Sequence, residues 1–574
     1  MEASKLQSWY STAYYIHQRW LDHAKEELNF YSGKQWDDTT KSKLIAQKRP
    51  VLTLNYLRSL IRMLVGYEIK TRYELTVLPI DKYGGDDDVA VLLSRLLRFI
   101  MRINSSEYVF GDAYKFGLIT GRGWIGTDID YSRNILGDPV LRSEDVVNIV
   151  VDPLMRRLDM KDAKYLFVDK WLTEDDIKYL YPKLDINDIS LVSTSANVKN
   201  LKKTISGITY YNLREAWYKE YKVEKYLIDR ETYEIIRTKD ESDEELNKYV
   251  QGGKYILAKK TIPQIYYSVL AGNEILEEGK SPYSHEYYPY VLYTCEFLPA
   301  FMDVEPDWVG LLRDLLDPQR EINKRRSQWL DALIRTVNPG LFAETTAVKD
   351  WSQLEKSMKE PGTIVELNEG GIGKIKEKPS MAPNPALYTT GVDYVNDILR
   401  IGNINPAMLG FTEGSRESGK SILARQQAGN VSIAQYQDNF RLTRLVVAKI
   451  MLSMIPQVFT PARIARAIAG DGKLQSLDIG DVNAIRKLIE TLDLDRYDVA
   501  FAEAPVTPSQ RVAEFVELKE IITLMIQLGM PPTPQLIAKL VEASDVSQKR
   551  DVINLIQQAA RQAEQAQQQA PPIQ

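Results

Sequence analysis

The sequence predicts an α+β protein, because helical and strand patterns occupy separate stretches of the chain. Apolar residues recur with helical spacing in residues 1–125 and again beyond residue 306. Between residues 208 and 300, aromatic and polar residues alternate along several short runs, as they do in half-buried strands. Glycine and proline clusters divide the chain into consecutive segments.

Residues 1–125 are predicted to be mainly helical. The clearest amphipathic pattern begins at Val89 and continues through Leu96 and Ile100. Asp86–Asp88 stand directly before this pattern. Carboxylates at the N-terminus of a helix interact favourably with its dipole, so we expect these aspartates to cap the helix; a cation site is the alternative.

Residues 126–306 are predicted to be rich in β-structure. The runs Ala216–Tyr221 and Lys225–Asp229 are expected to form separate strands. The pair Gly272-Asn273 marks a hairpin turn, because both residue types tolerate the backbone angles that tight turns require.

One long helix is predicted for residues 307–335, where Trp308, Leu312, Leu315 and Trp329 recur at helical spacing. Pro318 either kinks this helix or marks a second start. The middle of the helix is polar and contains Gln319, Arg320, Lys324, Arg325 and Arg326. A helix that is apolar at both ends and polar between them suits packing beside copies of itself, although a bent surface helix would show the same pattern.

Helices and loops alternate in the remaining chain. Residues 336–386 form a loop-and-strand excursion in which Thr363–Leu367 is the clearest predicted strand. The other predicted segments are a second helix at 387–405, a loop at 406–420, a region at 421–501 that starts with a long helix to about residue 455, and a segment at 502–574 with helices near 511–528 and 533–542 and a Gln/Ala-rich tail.

Residues Gly414–Ser421 spell G-x-x-x-x-G-K-S, the phosphate-loop motif of nucleotide hydrolases. That motif functions only where a buried strand delivers the loop to a helix N-terminus, and residues 397–411 contain no such strand. The best candidate for a metal-binding aspartate, Asp152, lies far upstream. We therefore expect no nucleotide chemistry here, and keep a nucleotide-driven translocase as the alternative.

Composition excludes several classes of site. The chain has a single cysteine, Cys295, and three histidines, so it holds neither an intrachain disulfide nor a Cys/His zinc site, and the thiol is expected to be buried. We assign no catalytic, cofactor-binding or metal-binding residues. No membrane span or secretion signal is visible, which favours a protein that starts in the cytoplasm. With 73 basic and 78 acidic residues the net charge is −5, so any DNA contact is expected to be local or weak.

Several strings, in this order, resemble those of portal proteins from tailed double-stranded DNA bacteriophages, especially short-tailed phages. They are Tyr31–Trp36, Arg49–Asn55, Leu64–Glu68, Val151–Pro153 followed by Asp162-Ala163, Asp317–Arg320 with Asn323 and Ser327, and Glu417–Ile422 with Arg425-Gln426. In the last string, Ser421 replaces the small residue usual in that family, and this change creates the phosphate-loop spelling.

The resemblance implies a ring of twelve subunits at one capsid vertex, through which double-stranded DNA is packaged and later ejected. The implied partners are other copies of the chain, DNA, the terminase packaging motor, tail adaptor proteins, and the major capsid and scaffold proteins. The implied location is the virion, after assembly in the host cytoplasm. The segments would be a helical wing (1–125), a β-rich wing (126–306), stem helices (307–335 and 387–405), a clip (336–386), a channel loop (406–420), a long wing helix with its following region (421–501) and a crown and barrel (502–574).

On this interpretation Arg416, Lys420 and Arg425 lie near the DNA path as a few labile charges, because a net-anionic ring lets phosphates slide past without tight binding. Salt bridges between subunits are an equally weighted alternative for these residues. A virion connector without a DNA channel is a further alternative for the whole protein.

Overall fold

The computed structural model describes residues 1–72, 74–80, 86–182, 184, 202–232, 235–238, 246, 249–272, 274–337, 339–358, 360, 362–379, 384–402, 431, 433–460, 463–464, 497–501, 508–529, 532–544, 552 and 555–556. The chain forms two compact units. The first unit contains residues 1–24, 65–310 and 434–574, and the second contains residues 25–64 and 311–433. Helices and antiparallel sheets occupy separate stretches, so the α+β prediction is confirmed.

The N-terminal elements are helices apart from one strand. They are α1 (Ala3–Ser32), α2 (Asp38–Ala46), α3 (Tyr56–Lys70), β1 (Leu75–Pro79), α4 (Asp87–Ile103) and α5 (Ser106–Thr120). The predicted apolar stripe of α4 is buried, including Val89, Leu96 and Ile100. Asp86 is the N-cap of α4, and its side chain accepts a hydrogen bond from the backbone N–H of Asp88. These carboxylates therefore cap a helix, as expected.

The following elements are nearly all strands. They are β2 (Gly123–Asp130), β3 (Asp138–Glu144), β4 (Ile149–Val151), β5 (Tyr165–Thr173), α6 (Glu174–Leu180), β6 (Lys202–Ile205), β7 (Ile208–Asp229), β8 (Ile235–Arg237), β9 (Tyr255–Ala271), β10 (Glu274–Lys280), β11 (Tyr290–Tyr293), β12 (Glu296–Leu298) and β13 (Asp307–Val309). The largest sheet is antiparallel with the order β10-β9-β7-β5-β4, and β6 and β8 pair with β7. Strands β11, β2 and β3 form a second sheet, and β12 pairs with β13.

Strands β7 and β9 form the longest ladder, from Arg214 opposite Leu270 to Asp229 opposite Tyr255. The prediction of two separate strands at 216–221 and 225–229 is wrong, because both belong to β7. Between the two predicted strands, β7 continues because β9 runs beside it without a break and accepts and donates its backbone hydrogen bonds. The hairpin prediction is confirmed, since β9 ends at Ala271 and antiparallel β10 begins at Glu274.

Large aromatic side chains dominate the main core of the first unit, among them Trp20, Trp124 and Trp308. The Arg122 guanidinium lies between two of these rings, 4.1 Å from the centre of Trp20 and 3.7 Å from that of Trp308. Such sandwiches exploit the negative faces of indole rings. Cys295 is a buried free thiol, as expected.

Asp152 has a structural position in a turn. Its carboxylate accepts hydrogen bonds from the backbone N–H groups of Leu154, at 2.9 Å, and Lys164, at 2.8 Å. In the described part of the chain, no three or more His, Cys, Asp or Glu side chains are arranged to hold a metal ion. The aspartate weighed as a metal ligand for the phosphate loop therefore closes the turn between β4 and β5.

The second unit contains a long helix, a small two-stranded sheet and a second helix. After residue 310 its elements are α7 (Leu316–Val337), β14 (Leu341–Ala343), α8 (Trp351–Ser357), β15 (Ile375–Glu377) and α9 (Ala386–Ile401). The helix predicted for 307–335 thus begins nine residues later than expected, at Leu316. Residues Asp307–Val309 pair with β12, and a short 3-10 turn at Arg313–Leu315 precedes α7. Pro318 lies in the first turn of α7, where its missing N–H costs nothing, so it marks a start and not a kink.

Two local predictions between α7 and α9 are wrong. The strand expected at Thr363–Leu367 is replaced by one isolated bridge between Leu367 and Val348. β-branched residues alone do not make a strand where no neighbouring strand completes a ladder. Helix α8 was not predicted, although Asp350 carries the signal, since its carboxylate caps the helix by accepting from the Ser352 N–H at 2.8 Å.

The described C-terminal elements are α10 (Ala434–Val458), β16 (Tyr497–Phe501), α11 (Pro508–Gln527) and α12 (Pro534–Ala543). The long helix predicted from residue 421 is described from Ala434 as α10, and its buried apolar side chains include Phe440, Val447 and Met454. Strand β16 pairs with β1, so residues 75–79 and 497–501 lie side by side within the first unit. The tail at 557–569 lies outside the described residues.

Candidate functional site

Helix α7 is held along one face by an extended segment, Val51–Asn55. Three backbone N–H groups donate to α7 side chains: Leu52 to Ser327 at 3.0 Å, Leu54 to Asn323 at 2.9 Å and Tyr56 to Gln319 at 3.1 Å. We call these three contacts the amide ladder. Two residues of extended chain advance about 6.6 Å and four residues of helix about 6 Å, so alternate amides match every fourth helical residue.

The polar side chains of the amide ladder are buried and have further partners. Gln319 is 0% exposed and donates to the Leu54 carbonyl at 2.6 Å. Asn323 is 1% exposed and donates to Gln35 at 2.6 Å. The buried Gln319 and Asn323 side chains of α7 are thus satisfied within one chain. The hypothesis that the polar middle of α7 faces copies of the same helix is not needed to explain these residues.

Three of the strings that carry the family resemblance meet at the amide ladder. Gln35 belongs to the first string, Leu54 to the second, and Asn323 to the string that begins at Asp317. Sequence reasoning identified the strings separately but missed their contact, because nearly 290 residues separate Gln35 from Asn323. The regular i, i+4, i+8 spacing of Gln319, Asn323 and Ser327 was the available signal.

The predicted cationic residues of α7 have acidic or aromatic partners. Arg320 forms ion pairs with Asp317 and Glu26 and lies over the Phe30 ring, 4.9 Å from its centre. Glu321 accepts from both Lys324, at 2.8 Å, and Arg325, at 3.1 Å. These half-exposed pairs contribute little to stability, but they neutralise much of the positive charge along the helix.

Helices α7 and α9 pack antiparallel. The Trp329 and Tyr388 rings are 5.9 Å apart, and the Arg326 guanidinium lies 4.6 Å from the centre of Tyr388. Further along, the two helices are in close contact at the buried Gly391, where an added Cβ would make an ordinary van der Waals contact with Arg325, 3.7 Å from its Cβ. The pair also exposes apolar side chains, namely Leu333, Ile334, Val337, Val392 and Ile401.

The candidate channel residues Arg416, Lys420 and Arg425 lie outside the described residues, as does the whole phosphate-loop spelling, Gly414–Ser421. Their assignment therefore stays a prediction. Among the helices that the structure describes, none combines the length and apolar composition needed to cross a lipid bilayer.

Comparison with known proteins identifies the family. The sequence model described as "Phage P22-like portal protein" matches residues 7–574, which is almost the whole chain. No curated protein matches the chain. The matched range includes every string named above. This chain belongs to the family of P22-like phage portal proteins.

Proposed function

We propose that the protein forms a ring of twelve subunits at one capsid vertex and serves as a conduit for double-stranded DNA. In this role it docks the terminase packaging motor and later the tail adaptor proteins, and it contacts the major capsid and scaffold proteins. The family match over residues 7–574 supports this proposal. Catalysis is not part of it.

The structural observation that carries self-association is the apolar surface of α11. Large apolar side chains are exposed along this helix, and Leu524 and Ile526 are 56% and 60% exposed. Neighbouring exposed residues are Val516, Ile521 and Leu528. Large apolar side chains that a helix leaves exposed are commonly covered by a protein contact, and identical neighbouring subunits would supply one.

The segments then take the following roles. Helices α7 and α9 form the stem, residues 336–386 the clip, residues 406–420 the channel loop and residues 502–574 the crown and barrel. Around α7, the pairing of Arg320, Lys324 and Arg325 with carboxylates reduces the positive charge that phosphates could bind. A wall of this kind suits DNA that must slide, because tight binding requires unpaired cations.

Electron microscopy of the purified protein tests the ring directly. We expect rings whose central hole is about as wide as duplex DNA.

Leu524→Glu should convert most rings into smaller species, because burying one leucine contributes about 2 kcal/mol and a buried carboxylate costs more. Lys519→Glu, which also adds negative charge to α11 without removing an apolar group, serves as the matched control and should leave the rings intact. Monomers of the unaltered protein at high concentration would contradict the ring, and rings without a hole would favour a connector that conducts no DNA.

Neutralising Lys420 tests the channel loop. If Arg416, Lys420 and Arg425 contact DNA, Lys420→Gln should lower the fraction of filled heads that retain their genome, because one labile phosphate contact per subunit is lost. Lys178→Gln on α6, which removes an exposed cation paired with Glu174, is the control. Packaging and retention that equal those of the unaltered phage would remove Lys420 from the channel.

A nucleotide-driven translocase remains the second candidate, because Gly414–Ser421 keeps the phosphate-loop spelling. This function requires ATP hydrolysis by the purified protein that disappears in Lys420→Ala. Our proposal expects no hydrolysis in either form.

A further inference from the structure

A cavity of about 660 Å³ in the first unit is lined by four arginine side chains. Arg98 and Arg102 come from the end of α4, Arg72 follows α3, and Arg444 belongs to α10. Two carboxylates, those of Glu74 and Glu107, also line the cavity, so its wall carries an excess of positive charge. The volume lies in the range of sites for small organic ligands.

Glu107 occupies the position of an anion between two of these arginines. Its Oε2 lies 2.8 Å from Arg72 Nε, and its Oε1 lies 3.8 Å from Arg444 Nη2. The Glu107 side chain is 48% exposed, whereas the Arg444 side chain is only 6% exposed. A half-exposed side chain can move aside, so a stronger anion can take its place between the two guanidinium groups.

The environment of Arg444 favours an added negative charge. Burial lowers the pKa of Arg444, and Glu107 and Glu68 act in the opposite direction. Glu68 is itself engaged by Arg72, with 3.1 Å between Oε1 and Nε. Burial nevertheless raises the pKa of the Glu68 carboxyl. The Glu68 carboxylate is thus already engaged by Arg72. An anion that entered from solvent would stabilise both Arg72 and Arg444.

Other parts of the cavity wall suit a phosphorylated organic molecule, with one part suited to its phosphate and another to its organic group. The first turn of α5 lines the cavity, and its N-cap residue, Ser105, makes no side-chain capping bond. First-turn N–H groups attract anions. Apolar surface is offered by Met101, which is half-buried, and by the ring of Tyr108, which is 80% exposed at the edge.

We propose that this cavity binds a phosphomonoester dianion attached to a flat organic group. A guanidinium group can donate two hydrogen bonds to a phosphate, and the three terminal oxygens of a phosphomonoester can reach more than one arginine. The two oxygens of Glu107 do this less well, because one lies 2.8 Å from Arg72 and the other 3.8 Å from Arg444. Met101 and Tyr108 would receive the organic group. The phosphomonoester belongs either to a free nucleotide or to the 5′ end of a DNA strand, which present the same chemistry.

Titration calorimetry on the full chain at constant ionic strength tests this proposal. The probes are AMP, adenosine, and one short DNA duplex with and without 5′-phosphates. We expect saturable binding, at one site per subunit, of AMP or of the phosphorylated duplex, and whichever binds identifies the source of the phosphate. Adenosine and the unphosphorylated duplex should bind at least tenfold more weakly.

Three variants locate the site. Arg98→Gln should weaken binding severalfold, because it removes one of the four positive charges that line the cavity. Arg95→Gln, one turn earlier on α4 and not part of the cavity wall, should leave it unchanged. Glu107→Gln should tighten binding, because it removes the competing carboxylate. The proposal is overturned if neither phosphorylated probe binds, if the unphosphorylated duplex binds equally well, or if Glu107→Gln and Arg98→Gln leave the affinity unchanged.

Discussion

Asn323→Ala is expected to lower the free energy of unfolding of the second unit by about 3 kcal/mol. The substitution removes the acceptor of the Leu54 N–H and the donor to Gln35, and both groups are left buried without those partners. Each buried polar group that loses its partner costs about 1–3 kcal/mol. Urea denaturation gives the total change. Hydrogen exchange of the peptide that contains Leu54 shows whether the extended segment has separated from α7.

Two further substitutions on the same helix provide the comparison. Ser327→Ala removes only the contact with the Leu52 N–H, so about 1 kcal/mol is expected. Lys324→Ala breaks a half-exposed ion pair and should change stability by less than about 0.5 kcal/mol. Equal losses for all three variants would mean that α7 depends on helix propensity and not on the amide ladder.

Local patterns of sequence predicted the elements that local forces determine. The stripe of Val89, Leu96 and Ile100 indicated α4 correctly, because one buried face with a period of 3.6 suffices to define an amphipathic helix. The turn at Gly272-Asn273 was found for a similar reason, since the constraint lies within a few residues of backbone.

The wrong or missed predictions share a different cause. In each case the deciding partner lies far away in the sequence, where a local pattern of residues cannot reveal it. Trp308 has helical spacing with Leu312 and Leu315, but β12 is available to pair with its strand, so the helix starts later. The contact of Asn323 was missed because its partner, the Leu54 N–H, lies in a segment that has no pattern of its own. The channel loop was assigned from the family resemblance and not from a local pattern of residues. The role of Lys420 in contacting DNA therefore rests on that resemblance alone.

Gly121→Ala is expected to lower the free energy of unfolding by about 2–5 kcal/mol. Gly121 ends α5 with a φ of 81°, and its N–H donates to the Gly117 carbonyl at 2.9 Å. A Cβ there would lie 2.4 Å from the Trp308 carbonyl oxygen and 2.8 Å from the Val309 nitrogen. Left-handed backbone costs a residue with a side chain about 1–2 kcal/mol, and overpacking against backbone adds about 1–3 kcal/mol.

Two other glycines of the first unit separate these contributions. Gly207 has a φ of 84° but open space around its Cβ position, so Gly207→Ala should cost only the backbone term of about 1–2 kcal/mol. Gly66, inside α3, is also uncrowded and has no positive φ, so Gly66→Ala should stabilise the protein by about 1 kcal/mol. Tryptophan fluorescence during urea denaturation follows all three variants. Because the crowding at Gly121 acts on the strand that carries Trp308, only Gly121→Ala should also change the native spectrum. A native spectrum unchanged in Gly121→Ala would mean that β13 moves aside without disturbing the Arg122 sandwich.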